Sequence, residues 1–599
     1  MKTRTRLIVL ALFVIGQFFT LVNFVHAVVA NPNPVIYTQP DGNTLTITIK
    51  GDECIHWAET SDGYTIMTNS TGTYEYAMKD RAGNLVFSGI QAKDPGKRSP
   101  TEVDMLSKLE KGLFFSDLQI GEMKNLLLKN GSSDAPLMGG FPSTGTRKLL
   151  MILANFSNTT TTYTQANFSN YMNQVNYNGT GSFRDYYIEV SYGQLIVNST
   201  VTIWVTLPNT HDYYGPDSKW GEFAYAAVVA ANNQASVNFA EYDNNLDGVV
   251  DGVAIFHQGQ GQEETGNVND IWSHSWDLSS AGYSSVQRTF DGVLVNAYTT
   301  MPERNSTGMG TIGVMCHEFC HNLGAPDFYD TDYSANGSYS GTGYWDLMAS
   351  GSWNGTSGTK PAHPNAWIKA YLGWATPVVL SSAQTTVLRN SQVYPDFVRY
   401  NTTTANEYFL CENRQKTGFD VGIPGHGMII YHVDGNYISS HMYNNNINTG
   451  SHQGMYPVCA SSSGNPPTVY GTINSTGCPY PGTALKTTFT DATTPHSHSW
   501  AGANTGYPLT SIAENTTTKE ITFCFVSCVS NADPTNFAAN AFSSNQVNLS
   551  WTLNGTGNPV MVAYNTAATF GTPVTGTAYS AGNLLAGGGT VLYNGSNSA

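Results

Sequence analysis

Charge is scarce in this chain. Asp, Glu, Lys and Arg make up 12% of its 599 residues, about half the share of an ordinary soluble domain. What charge there is leans acidic, with Lys+Arg 27 against Asp+Glu 43 and a formal net charge of −16. Such a surface repels phosphate backbones and anionic lipid, so no nucleic-acid partner is expected. After the first thirty residues no apolar run is long enough to span a bilayer, which excludes stable membrane insertion once that leader is gone. Cysteine is sparse as well, at eight residues. Eight thiols allow 105 full pairings, and only the local pairs Cys459–Cys478 and Cys524–Cys528 are expected to form. Cys316 and Cys320, four apart in the sequence, are expected to pack in a core, because helical geometry makes a bridge between them awkward.

What is present begins with Lys2, Arg4 and Arg6, an apolar run over residues 7–25, and small residues at Ala27 and Ala30. That order describes a secretory signal peptide, residues 1–30, with cleavage after Ala27 or Ala30; an uncleaved anchor is the other reading. A secreted, extracellular chain follows from it, and the high Gly, Thr and Asn content suits a β-rich secreted protein. The length predicts several domains.

Residues 35–89 read as a small antiparallel meander: Leu45, Ile47 and Ile49 alternate with Thr46, Thr48 and Lys50, and Asp41-Gly42, Asp62-Gly63 and Gly83-Asn84 supply turns. Ser99-Pro100-Thr101-Glu102 is a capping box that opens a helix, and a second helix is expected over residues 116–129. A Ser/Gly/Pro-rich stretch at 132–146 then reads as an exposed linker. A domain of this size, residues 31–140, joined by such a linker to an enzyme domain is most simply a propeptide.

The chemistry is concentrated in residues 312–330, IGVMCHEFCHNLGAPDFYD. Helical periodicity stacks His317 and His321 of His317-Glu318-Phe319-Cys320-His321 on one face, which makes half of a zinc site. Glu318 stands beside that point, placed to act as general base on water at the metal. Gly324 lets the chain leave the helix in a left-handed turn, returning Asp327 as third ligand; Asp330 and Asp332 are nearby competitors. Ile312, Met315, Phe319 and Leu323 fall on the opposite side and would seat the helix in a core.

Around this helix, residues 149–153 form an uninterrupted apolar run that suits a strand buried on both faces. Residues 183–190 and 222–231 read as helices. Asp243, Asn245, Asp247, the Val249 carbonyl and Asp251 place oxygens at alternate positions around Gly248, as Ca²⁺ requires; Ala254 stands where a full EF-hand has a bidentate Glu, and a polar turn is the other reading. Met348, in Trp345-Asp346-Leu347-Met348, follows the third ligand closely, as a methionine turn beneath a metal would. His274 and Tyr344 are candidates for stabilising an oxyanion, and His432 with Asp434 for a second polar site.

Residues 317–330, the turn at 345–348 and Asp185-Tyr186-Tyr187-Ile188-Glu189-Val190-Ser191-Tyr192-Gly193 together resemble the immune inhibitor A family of secreted metallopeptidases. The resemblance runs from about residue 35 to 526 and includes Gly51-Asp52-Glu53, the calcium-loop phrase, Glu412-Asn413-Arg414-Gln415-Lys416 and residues 427–434. It implies a zinc endopeptidase with a metzincin-like core, made as a zymogen, with an accessory β-rich region behind the core. Cys54, Cys320 and Cys411 depart from the family pattern.

The fold expected is therefore α+β and multidomain: signal peptide 1–30, propeptide 31–140, zinc peptidase domain 145–376, accessory β-rich domain 377–528, and from 532 to 599 a partial fibronectin type III module marked by Val547-Asn548-Leu549-Ser550-Trp551. The function expected is hydrolysis of protein or peptide substrates, with one catalytic zinc and a structural calcium. The alternative is an adhesin or glycan-binding protein on a peptidase scaffold, with surface or glycan contact through the C-terminal module. Intact His317, Glu318, His321 and Asp327 argue against it.

Overall fold

A computed structural model describes residues 28–69, 71–128, 140–333, 338–528, 535–553, 559–573 and 578–595. The leader through residue 27 and residues 132–139 of the expected linker lie outside them. The chain divides into a large unit, residues 1–381, 387–507 and 511–522, and a small one, residues 382–386, 508–510 and 523–599.

The large unit opens with six strands in an antiparallel meander: β1 (Val35–Thr38), β2 (Thr44–Gly51), β3 (His56–Thr60), β4 (Thr65–Thr68), β5 (Tyr74–Lys79) and β6 (Leu85–Gln91). Along β2 the alternation read from sequence is physical, with Leu45, Ile47 and Ile49 buried and the residues between them more exposed. Helix α1 (Pro100–Leu106) begins with the capping box, Ser99 accepting from the Glu102 N–H and Glu102 from the Ser99 N–H. Helix α2 (Asp117–Leu128) follows.

A five-stranded sheet comes next, built from β7 (Gly145–Asn155), β8 (Leu195–Thr206), β9 (Val253–His257), β10 (His274–Asp277) and β11 (Ala297–Pro302) in the order β10-β11-β9-β7-β8. Its pairs are parallel except at the β10 edge. Both faces of β7 are covered. Leu149, Met151 and Leu153 pack with helices α3 (Gln165–Asn173), α4 (Phe183–Val190) and α6 (Ile312–Asn322). Leu150, Ile152 and Ala154 pack with α5 (Trp220–Ala235) and with Leu45 and Ile47 of β2. Period-two alternation across a sheet covered on two sides explains why the sequence shows one unbroken apolar run.

Helix α7 (Ala366–Tyr371) leads to a second sheet, β12 (Val378–Val379), β13 (Phe397–Asn401), β14 (Glu407–Arg414), β15 (Gly427–Asp434) and β16 (Met455–Pro457), ordered as numbered, with α8 (Gly435–His441) after β15. Every residue of β14 is buried. Cys459 and Cys478, expected as a disulfide, stand as thiols. Backbone bonds Ala460 to Cys478 and Ser461 to Gly477 hold their chains side by side, while the Cys459 Sγ turns to Ser461 Oγ and the Thr472 carbonyl. A hydrogen bond from Cys478 leads the effects that lower the Cys459 thiol to about 6.

In the small unit two hairpins, β17 (Thr535–Ser543) with β18 (Gln546–Thr552) and β19 (Val560–Tyr564) with β20 (Thr590–Gly595), surround Trp551, Val560 and Val562. Cys524 and Cys528 are joined. Among the described residues no helix is long and apolar enough to cross a membrane.

Candidate metal centre

Helix α6 runs under the sheet with every residue buried, histidines included. Its apolar side meets α4: the Phe183 and Phe319 rings lie 5.1 Å apart, and the Tyr187 hydroxyl donates to the Cys316 carbonyl at 2.6 Å. Cys316 and Cys320 are core residues, as their spacing suggested, and burial pushes both thiols well up. The helix ends at Gly324, whose φ of 100° only glycine adopts readily. The turn carries the chain back over the helix, and Asp327 Oδ1 comes to 3.1 Å from His317 Nε2 and 3.5 Å from His321 Nε2.

Each histidine is oriented through its other nitrogen. His317 Nδ1 lies 2.8 Å from the Leu347 carbonyl and His321 Nδ1 2.8 Å from the Ala325 carbonyl. A carbonyl can only accept, so in the neutral ring the proton sits on Nδ1 and Nε2 keeps its lone pair for a metal. His317 Nε2 is buried with no hydrogen-bond partner, an arrangement costly in a plain core and suited to an ion. Three ligand atoms within 4.8 Å of one another, two imidazole and one carboxylate, fit zinc and leave a further position open.

Met348 is fully buried directly after the carbonyl that holds His317. Its own carbonyl accepts from the Phe328 N–H at 2.8 Å, so the methionine turn ties the first and third ligand segments together. Asp330 is employed otherwise, accepting from the backbone of Asp332, Tyr333 and Tyr339. Glu318 is buried beside the ligands; burial first, then the carboxylates of Asp327 and Glu53, push its carboxyl well above the usual range.

Residues expected at the end of the leader lie in the cleft. Val28 donates its backbone N–H to Glu318 Oε1 at 2.7 Å, and its carbonyl accepts from Trp272 Nε1 at 3.2 Å. The Val29 carbonyl accepts from Trp353 Nε1 at 2.8 Å, and Ala30 donates to the Gly51 carbonyl at 2.8 Å. Behind this strap the β2–β3 turn brings Asp52, Glu53 and Cys54 together, with ligand-type atoms within 4.8 Å of one another. Cys54 donates to Glu53 Oε1 at 3.2 Å. Burial, then Asp52 and Asp327, raise the Glu53 carboxyl well above normal. The Gly51-Asp52-Glu53 phrase was the one sequence signal for this arrangement.

Other candidates fall elsewhere. His274 is a core residue, stacked on Trp220 and bonded to the Trp272 carbonyl and the Tyr298 hydroxyl; burial lowers it to about 3. Tyr344 is partly buried and held by its backbone to Asn474 and Asn354. His432 is engaged by Glu407 and Tyr456, and Asp434 caps α8. In the proposed calcium loop, Asp243 accepts from the N–H groups of Asp247 and Gly248, Asn245 from Asp247, and Asp247 from Val249. Asp251 accepts from Asn244. The side chains at alternate positions thus fold into one turn, but the three aspartates are not among the groups of the described residues whose ligand atoms gather within 4.8 Å.

Residues 147–375, which contain this centre, match the catalytic domain of the immune inhibitor A peptidases, M6. The chain is 33% identical to Immune inhibitor A of Bacillus thuringiensis subsp. alesti, over 30% of this chain and 30% of that protein. It is 31% identical to Pre-pro-metalloprotease PrtV of Vibrio cholerae serotype O1 (strain M66-2), over 32% of this chain and 23% of that one. The matched region thus spans less than a third of either relative. By that domain, and by the ligand set folded into it, the chain belongs to the immune inhibitor A family of metallopeptidases.

Proposed function

We propose that this protein is a secreted, zinc-dependent endopeptidase made as a zymogen, acting on protein or peptide substrates through a metzincin-like core. The observation that carries the reading is the convergence of His317 Nε2, His321 Nε2 and Asp327 Oδ1, with Glu318 against the same point. Zinc held there would polarise the scissile carbonyl and make its water acidic enough to lose a proton near neutral pH. Glu318 takes that proton and delivers it to the leaving amine. Its raised proton affinity suits both halves of the task, since a base must also hold the proton long enough to act as acid. The Leu347 and Ala325 carbonyls keep the two imidazoles in the one tautomer that serves.

Latency belongs to the same reading. With the Val28 N–H on Glu318 and the strap's carbonyls on Trp272 and Trp353, the cleft is filled by the protein's own chain. The relative named a pre-pro-metalloprotease points the same way. Cleavage of the leader after Ala27 would leave this strap on the propeptide, and cleavage in the 132–146 linker would remove both. A structural calcium at Asp243, Asn245, Asp247, Val249 and Asp251, and a partial fibronectin type III module around Trp551, complete the proposal. The test is casein hydrolysis by processed protein with and without a zinc chelator. Chelator-sensitive hydrolysis restored by zinc is expected; processed, zinc-loaded protein without proteolysis would favour a binding protein on a peptidase scaffold.

A further inference from the structure

The third ligand is gripped from outside the matched domain. Asn445, between α8 and β16, donates from Nδ2 to Asp327 Oδ2 at 2.7 Å and accepts at Oδ1 from the Asp327 backbone N–H at 3.0 Å. The two bonds fix the amide's orientation without ambiguity, because the N–H can only donate and an ionised carboxylate can only accept. They engage Oδ2 of Asp327 and leave Oδ1 directed at the two histidines.

Asn445 is itself immobilised. It is 7% exposed and has φ of 49°, the left-handed region that Asn tolerates better than other side-chain-bearing residues. Its N–H donates to the Met442 carbonyl at 3.2 Å, and its carbonyl accepts from the Thr331 hydroxyl. Nor is the contact isolated. Asn448 Nδ2 donates to the Phe328 carbonyl at 2.8 Å, and Arg414 Nη1 to the Trp345 carbonyl at 2.7 Å, ahead of the methionine turn. Arg414 is in turn paired with Asp420 and Glu412, all three fully buried.

We infer that Asn445 is a positioning residue for the metal centre: it sets the carboxylate of Asp327 in the ligating orientation, so the zinc site is complete only with the accessory region in place. This rests on the zinc reading above. The physical reason is ordinary. A carboxylate free to rotate must be ordered when the ion binds, whereas one already held by two hydrogen bonds presents its lone pair beforehand, and partners of this kind change metal affinity by about 10–100-fold.

The test uses the full-length chain, with zinc affinity measured by competition against a chromophoric chelator and melting followed without metal. Asn445→Gly removes the amide yet keeps a residue at ease with positive φ. It should weaken zinc binding about 10–100-fold while the metal-free melting temperature stays near that of the parent. Asn445→Asp keeps the acceptor for the Asp327 N–H but replaces the donor to Oδ2 with an anion; it too should weaken zinc binding, and it decides the matter if the glycine variant does not fold. Zinc affinity within threefold of the parent in a folded variant overturns the inference, as does a lowered metal-free melting temperature with unchanged affinity. Failure of the parent itself to bind zinc would instead overturn the zinc reading.

Discussion

The backbone N–H of Val28 and the Oε1 of Glu318 are 2.7 Å apart, across 290 residues of sequence. The group proposed as general base is thus already engaged by a segment that lies where substrate must lie. The intact chain is expected to be inactive, with activity appearing only when residues 28 to about 140 have gone. N-terminal sequencing of active protein checks this: activity in an unprocessed chain would remove the zymogen proposal.

Gly51 offers a way to loosen that latch without touching the catalytic residues. It accepts from Ala30 through its carbonyl and has φ of 99°; a Cβ there would fall 1.9 Å from the Ile55 carbonyl oxygen. Gly51→Ala must therefore shift backbone, not a side-chain tip, and should cost about 1–3 kcal/mol locally. The strap, Asp52 and Glu53 should lose their positions, and processing or activity should appear earlier than in the parent. An unchanged activation time course would show that the turn does not govern latency.

Glu318→Ala should keep the fold and the zinc while losing about 10²–10⁴-fold in turnover, the range of general-base loss. Asp327→Ala should lower zinc occupancy far more than Asp330→Ala, whose carboxylate caps backbone N–H groups. Turnover by processed enzyme and metal analysis of both aspartate variants measure these effects. Equal zinc loss at 327 and 330 would mean the ligand is assigned wrongly.

The ligands were legible in the sequence because their geometry is local: helical periodicity stacks His317 on His321, and one glycine turn later comes Asp327. Residues 149–153 were legible for a related reason, since burial on both faces writes itself as an unbroken apolar run. Asn445 was not. It stands 118 residues from Asp327 and is one of three successive asparagines, with nothing local to mark it. Val28 was hidden differently, because small apolar residues after a leader describe a cleavage region whatever they do later. The Cys459–Cys478 expectation failed because proximity in sequence says nothing of where each sulfur points. His274 looked like a site residue only until its two partners placed it in the core.

The calcium proposal can be tested through pH as well as through the ion. Burial first, with the charges of Asp247 and Asp243 adding and the Asn244 hydrogen bonds opposing, raises Asp251 from 3.8 to about 6. A carboxyl whose folded value is raised contributes stability that is fully present below its unfolded value and is lost as pH rises through the folded one. Without calcium, the loop should therefore weaken between about pH 4 and pH 6, and Asp251→Asn should remove that dependence. A bound cation reverses the preference by favouring the ionised form, so stabilisation by calcium should grow across the same window and reach about 2.7 kcal/mol near pH 7 at a hundred times the dissociation constant. Melting is followed in full-length Glu318→Ala, so that self-digestion cannot contribute, with zinc present and calcium added or withheld by a calcium-selective chelator. A melting temperature near pH 7 that responds neither to calcium nor to Asp247→Ala would make the loop a polar turn, held by the backbone hydrogen bonds that Asp243 and Asp247 already accept.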